Sequence, residues 1–226
     1  MAEGYKDWSA GDILTAADLE DYTVKQSVMR FADSSARTTA LSGVLAEGMM
    51  SYLKDTDTVE VYDGSAWAAV GGGKILQVVS TTKTDTFSAS ITAGSSSAVT
   101  GLTVNIAPSS TSNKVLIQVM LSGAVSVSDR AGVILTRGGS AISGAIAGAA
   151  GSRARVTGGI TDREFDPNTS TFVYLDSPAS TSTLTYGVSL QSVATRTHYV
   201  NRGQDDTDST DRFRAVSTIT VMEVSA

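Results

Sequence analysis

This sequence predicts a mainly β chain: a jelly-roll-like antiparallel β-sandwich preceded by a small N-terminal helix plus β-meander module. Three observations predict it. Residues 1–72 hold both tryptophans, Trp8 and Trp67, most of the methionines and the only helical spacing. Gly71-Gly72-Gly73 then sets three residues of maximal backbone freedom in a row, which marks a hinge between two modules. From there residues 73–226 alternate apolar and polar over short runs separated by turn residues, and no helical pattern intervenes. With 226 residues the chain can bury a core without crosslinks, and it has no cysteine to make one.

In the first module the helix is predicted from Thr15 to about Met29 or Arg30. Thr15 serves as N-cap, Asp18 sits at N3 near the positive helix end, and Leu14 and Leu19 occupy the staple positions. Leu19, Tyr22 and Met29, with Gln26 completing the 3-4-3 spacing, form one stripe, and Val24, Val28 and Phe31 form a second. Two stripes imply two partners. Either both pack on the module's own hairpin, or one meets copies of itself about a symmetry axis, where a buried Gln26 would set register. Downstream, Met49–Leu53, Val59–Tyr62 and Ala66–Val70 read as a meander over about residues 49–70, turned by Asp55-Thr56-Asp57 and the Asp63-Gly64 hairpin signal. A sheet of about three strands is marginal alone and must pack on something.

Beyond the hinge, strands are predicted at Ile75–Val79, Thr86–Ile91, Ala98–Ile106, Lys114–Ser122 and Ala131–Thr136, then at Arg153–Ile160, Thr171–Leu175, Thr183–Leu190, Arg196–Val200 and Ala215–Val224. Alternation is read in Val115, Ile117, Val119 and Leu121 and again in Val216, Thr218, Thr220, Met222 and Val224, so one face of each strand is expected to be buried and the other wet. The segment AISGAIAGAAG (141–151) is built of small residues and suits either close packing at a subunit interface or a mobile loop.

Composition excludes several function classes. With 17 Lys and Arg against 23 Asp and Glu the net charge is −6, which argues against phosphate-driven nucleic-acid binding. No apolar run is long enough for a membrane span, and no secretory signal opens the chain. The absence of cysteine removes thiol chemistry, and the single histidine, His198, excludes a two-His metal site within one chain. Asp205, Asp206, Asp208 and Asp211 cluster before the last strand without EF-hand spacing, so they read as a solvated acidic loop rather than a Ca²⁺ site. Asp162, Glu164 and Asp166 could supply one carboxylate for glycan cleavage, but turn-making explains them as well. No G-x-S-x-G elbow accompanies His198, and no G-x-x-x-x-G-K-[ST] loop is present. Arg153, Arg155 and Arg163 form a loose basic group that could meet acidic sugars through bidentate hydrogen bonds, with pairing to nearby Asp as the alternative. The expectation is a non-enzyme with no cofactor and no metal.

The segments WSAGDILTAADL (8–19), VMRFADSSARTTAL (28–41), EGM (47–49), YLKDT (52–56) and VYDGSAW (61–67) together resemble the N-terminal module of tailed-bacteriophage fibre and minor structural proteins. The C-terminal end, STITVMEV, is similar to the jelly-roll tips that close many such fibres. The resemblance implies a virion protein, usually a homotrimer, made in the host cytoplasm and working on the exterior of the particle. It would dock on other phage tail or capsid proteins through residues 1–72 and project residues 73–226 toward a host cell-surface glycan or protein. Trp8, Leu14, Leu19, Tyr22, Gln26 and Met29 become the anchoring and oligomerisation candidates, and Tyr199, Asn201 and Arg202 the receptor-contact candidates on a distal loop. The chain lacks the long repetitive shaft of such fibres, which favours a short tail fibre or fibre tip, with a purely structural capsid or neck decoration protein as the alternative and a glycan depolymerase as a weaker rival.

Overall fold

The computed structural model describes residues 9–19, 27–71, 73–126, 129–161 and 166–226. The chain is mainly β, with 49% of the described residues in strands and 7% in helices. It divides into two compact units, Met1–Gly73 and Lys74–Ala226.

The first unit opens with α1 (Ala16–Leu19), held by a reciprocal cap: the Asp18 amide donates to Thr15 Oγ1 at 3.1 Å, and the Thr15 amide donates to Asp18 Oδ2 at 3.2 Å. Trp8, Tyr22 and Gln26 lie outside the described residues. The expected helix does not reach Met29. Val28–Phe31 is instead strand β1, which pairs in parallel with β2 (Met50–Leu53) from Val28↔Met50 to Phe31↔Leu53. The run Val-Met-Arg-Phe fits a pleat as well as a helix, because β-branched and aromatic side chains pack well on a sheet, and the β2 edge supplies the ladder that decides between them.

A second helix, α2 (Ser34–Ala40), follows where no apolar stripe announces one. Asp33 caps it, accepting from the Ala36 amide at 2.7 Å. The one buried residue of α2 is Arg37, which donates to Ser51 Oγ at 3.0 Å, pairs with Glu60 and lies 4.1 Å over the Trp67 ring. A polar helix is thereby docked through a guanidinium and its stem. Strands β3 (Thr58–Tyr62) and β4 (Trp67–Ala69) complete a sheet of order β1-β2-β3-β4. Asp63 Oδ1 closes the β3-β4 turn by accepting from the Ser65 and Ala66 amides, with Gly64 at φ +95°.

The second unit runs through β5 (Ile75–Lys83), β6 (Phe87–Ile91), β7 (Ser96–Ile106), β8 (Lys114–Val125), β9 (Arg130–Arg137) and β10 (Ser140–Ala141), then β11 (Gly158–Thr161), β12 (Asn168–Asp176), β13 (Leu184–Ser192), β14 (Arg196–Val200) and β15 (Ser217–Val224). Three pairs of these are single strand lines broken in two. β14 and β15 lie end to end along β8, β6 and β5 lie along β14 and β15, and β11 and β10 lie along β9. Numbered in chain order, the resulting lines stand 1-8-3-6 in one sheet and 5-4-7-2 in the other. That is the double Greek-key order of a jelly roll.

The inward faces of both sheets meet in one core around Leu102, Ile117, Leu121, Leu135, Tyr186, Leu190 and Ile219, all fully buried. The breaks in lines 5 and 8 release two excursions, residues 142–157 and 201–216, and these shape the surface. The strand expected at Arg153–Ile160 is therefore realised only as Gly158–Thr161, because residues 153–157 belong to the first excursion.

Candidate functional site

The first excursion folds back over the sheet it leaves and encloses a groove of about 690 Å³. Its floor is β9, β11 and Gln191 of β13, and its wall is the returning stretch through Arg153 and Val156. Glycines make the close approach possible. A Cβ at Gly132 would overlap the Val156 side chain, so only glycine lets the wall descend onto β9 here.

Two arginines line this groove, Arg130 and Arg153. Among the described residues no carboxylate pairs with either of them or with Arg155. Arg153 Nη1 donates to the Ala150 carbonyl at 3.3 Å, and Arg155 Nε donates to the Ala147 carbonyl at 2.6 Å, so both brace the excursion while retaining net positive charge. Gln191 lines the groove, and its buried Oε1 has no hydrogen-bond partner among the described residues. An unmatched acceptor of this kind costs about 1–3 kcal/mol until a donor reaches it. The apolar part of the lining includes Val156 and Val193. Planar cations beside an apolar wall suit a ligand that carries a carboxylate. Arg163, the third member of the basic group, lies outside the described residues, as do Asp162 and Glu164.

The residues expected to touch a receptor do come together, at the base of the second excursion, but as builders of that loop. Asn201 is buried at φ +64°: its Nδ2 donates to the Lys83 and Asp85 carbonyls at 2.8 Å each, and its Oδ1 accepts from Ser217 Oγ at 2.6 Å. It joins β14 to β15 across the break, which removes it from the ligand-contact candidates. Arg202 lies 4.8 Å over the Tyr199 ring and spends its donors on the Gly203 and Gln204 carbonyls and on Asp206.

The acidic cluster is matched by arginines. Arg212 meets Asp205 at 3.0 Å and Asp211 at 2.8 Å, and Arg214 meets Asp206 at 2.6 Å. Hydrogen bonds from Thr207, and then Arg212, hold the Asp205 carboxyl at about 2. Among the described residues no group of three metal-ligating side chains converges.

His198 is fully buried, with Nε2 2.8 Å from Ser192 Oγ. The two have the atoms of a nucleophile and its base, yet both are closed off from substrate. Burial pushes the imidazole pKa down against the opposing influence of Asp129. Of the other candidates, Leu14 and Leu19 are exposed beside and on α1, and Met29 is half-buried on β1. Among the described residues no helix is long and apolar enough to cross a membrane.

No family model matches this chain, and no curated protein sequence does. A solved structure titled as that of infectious bursal disease virus, Gt strain, is similar at 15% identity and a TM-score of 0.34, over 73% of this chain and 42% of the other.

Proposed function

We propose that this chain is a virion structural protein of a tailed bacteriophage, a short tail fibre or fibre tip, that binds a carboxylate-bearing host surface glycan without cleaving it. The groove carries the reading: Arg130 and Arg153 line it without carboxylate partners among the described residues. In a chain of net charge −6, such a cationic patch is a local exception that selects acidic ligands by charge while the remaining surface repels them. The double-sheet jelly roll is an architecture shared by capsid and lectin domains, which is support by analogy of fold alone. Residues 1–72 anchor the chain to the particle in this reading, and the protein acts on the particle's exterior as a homotrimer.

Competition tests it. Saturating free protein should reduce adsorption of the parent particles to host cells, and the Arg130→Ala/Arg153→Ala double variant should compete at least tenfold less well. Undiminished adsorption at saturation would overturn the attachment role and favour the purely structural decoration protein.

A further inference from the structure

Where β9 and β12 finish, the open end of the sandwich carries a second cavity, of about 330 Å³, which shares no lining residue with the groove. The two strands belong to different sheets, and Arg137 and Asp176 are their last residues. Alternation from Val133 and Leu135 turns Arg137 inward, and alternation from Phe172 turns Asp176 to meet it. Arg137 Nη1 donates to Asp176 Oδ2 at 2.5 Å, and the Tyr186 hydroxyl donates to the same oxygen at 2.8 Å. One carboxylate oxygen thus ties the sheets together. The other, Oδ1, accepts from no described residue, although Asp176 is only 4% exposed and lines the cavity.

The rest of the lining repeats this pattern. The hydroxyls of Tyr174, Ser140, Ser143 and Ser177 all belong to the cavity wall, and none bonds to a described residue. The wall is built to close. Ser143–Ala145 forms a single 3₁₀ turn at the start of the first excursion, and a Cβ at Gly144 would overlap the Tyr174 hydroxyl, so glycine is what lets that turn approach β12.

We propose that this cavity binds one neutral pyranose sugar through a pair of vicinal hydroxyls. Charge selects a neutral ligand. Arg137 and Asp176 are the charged members of the lining, and they cancel, so the cavity does not draw anions as the groove does. Hydrogen bonding selects the diol. A hydroxyl both donates and accepts, so one of two neighbours donates to Asp176 Oδ1 while the other accepts from Arg137, whose side chain is 35% exposed. The serine and tyrosine hydroxyls then serve the remaining ring oxygens. Size selects a single ring, since the volume stands at the low end of the roughly 300–1,000 Å³ usual for small-molecule sites. One carboxylate lines the cavity where glycoside cleavage takes a pair, so the site holds the sugar without cutting it.

Nuclear magnetic resonance on the full ¹⁵N-labelled chain tests this, with the methyl glycosides of glucose, galactose and mannose as probes. At least one should shift the amides of residues 140–144 and 176–177 saturably. Asp176→Asn and, separately, Ser143→Trp should each weaken that binding about tenfold or more. Should Asp176→Asn fail to fold, Ser143→Trp decides, because Ser143 is exposed on the turn and an indole there fills the cavity without touching the Arg137 pair. The Arg130→Ala/Arg153→Ala variant should bind the same glycoside unchanged, which separates this site from the acidic-ligand reading of the groove. Absence of saturable shifts with all three glycosides would overturn the proposal, as would shifts centred on Gly132 and Gln191 or binding that survives Ser143→Trp.

Discussion

Replacing Glu223 by glutamine should remove one identifiable source of the protein's stability at neutral pH, a source that acid removes from the wild type. Glu223 is 1% exposed on β15 and accepts four hydrogen bonds. Gln77 Nε2 donates to Oε2 at 2.6 Å, while the Ser109 amide (2.6 Å), Ser109 Oγ (2.7 Å) and Asn113 Nδ2 (2.6 Å) donate to Oε1. Burial opposes ionisation, but the bonds from Asn113, Gln77 and Ser109 outweigh it and hold the carboxyl at about 2, below its ordinary 4.5.

A folded-state pKa below the unfolded value means that the unfolded chain binds the proton more readily. The stabilisation is therefore complete above about pH 4.5 and is lost as the pH falls through about 2. The difference of roughly 2.5 units, at 1.36 kcal/mol each, gives about 3 kcal/mol. Urea unfolding followed by circular dichroism at pH 7, 4 and 2 reads it out. Glu223→Gln should be about 3 kcal/mol less stable than wild type at pH 7, and the gap should shrink toward zero near pH 2, where the carboxyl is protonating. A gap of equal size at both ends, or none at pH 7, would refute the reasoning.

Asn201→Ala should cost about 3 kcal/mol in urea unfolding of the second unit, since it strands two backbone carbonyls and the Ser217 hydroxyl and puts alanine at a positive φ; a loss below about 1 kcal/mol would contradict that assignment. Arg37→Met should cost the first unit about 3 kcal/mol by leaving the Glu60 carboxylate without its buried partner, with the transition of residues 74–226 unmoved. Because burial keeps the His198 pKa below that of the unfolded chain, its contribution is complete above about pH 6.5 and declines as the pH falls, so His198→Gln should flatten the stability profile below about pH 6.5. Trypsin should cut first at Lys74, beside the glycine hinge, and release a stable 75–226 fragment visible by mass spectrometry.

Alternation made the second unit legible, because a residue such as Ile117 or Val221 must face the core if its neighbours face water, and the turn clusters left few other places for the strands to end. The jelly-roll order was less visible than the strands themselves. The broken lines β5/β6 and β14/β15 read as separate strands, β10 was not read as a strand, and pairing between residues as distant as Ile75 and Val224 leaves no local trace. Failure at Met29 has the same root. A four-residue apolar run fits a helix and a strand alike, and only the β2 edge, about twenty residues on, decides. α2 was missed because its anchor is a buried arginine, where amphipathic spacing looks for apolar residues, although Asp33 three residues before Ala36 was a readable cap.

At the site, Arg153 was legible as part of a basic group, while Arg130 and Gln191 were not, since they reach the groove from strands far apart in sequence. Asn201 misled for a physical reason. A polar residue beside an aromatic and an arginine looks like a ligand contact, and nothing local distinguishes it from one whose hydrogen bonds all turn inward.

Isothermal titration of the full chain with a uronic- or sialic-acid oligosaccharide, beside its carboxyl-reduced counterpart, tests the attachment reading most directly. The account predicts saturable binding of the acidic sugar only, weakened about tenfold or more by Arg153→Ala, as expected for loss of a charged hydrogen-bonding partner worth about 1.5 kcal/mol or more. Equal binding of both sugars, or acidic binding indifferent to Arg130→Ala and Arg153→Ala alike, would contradict it.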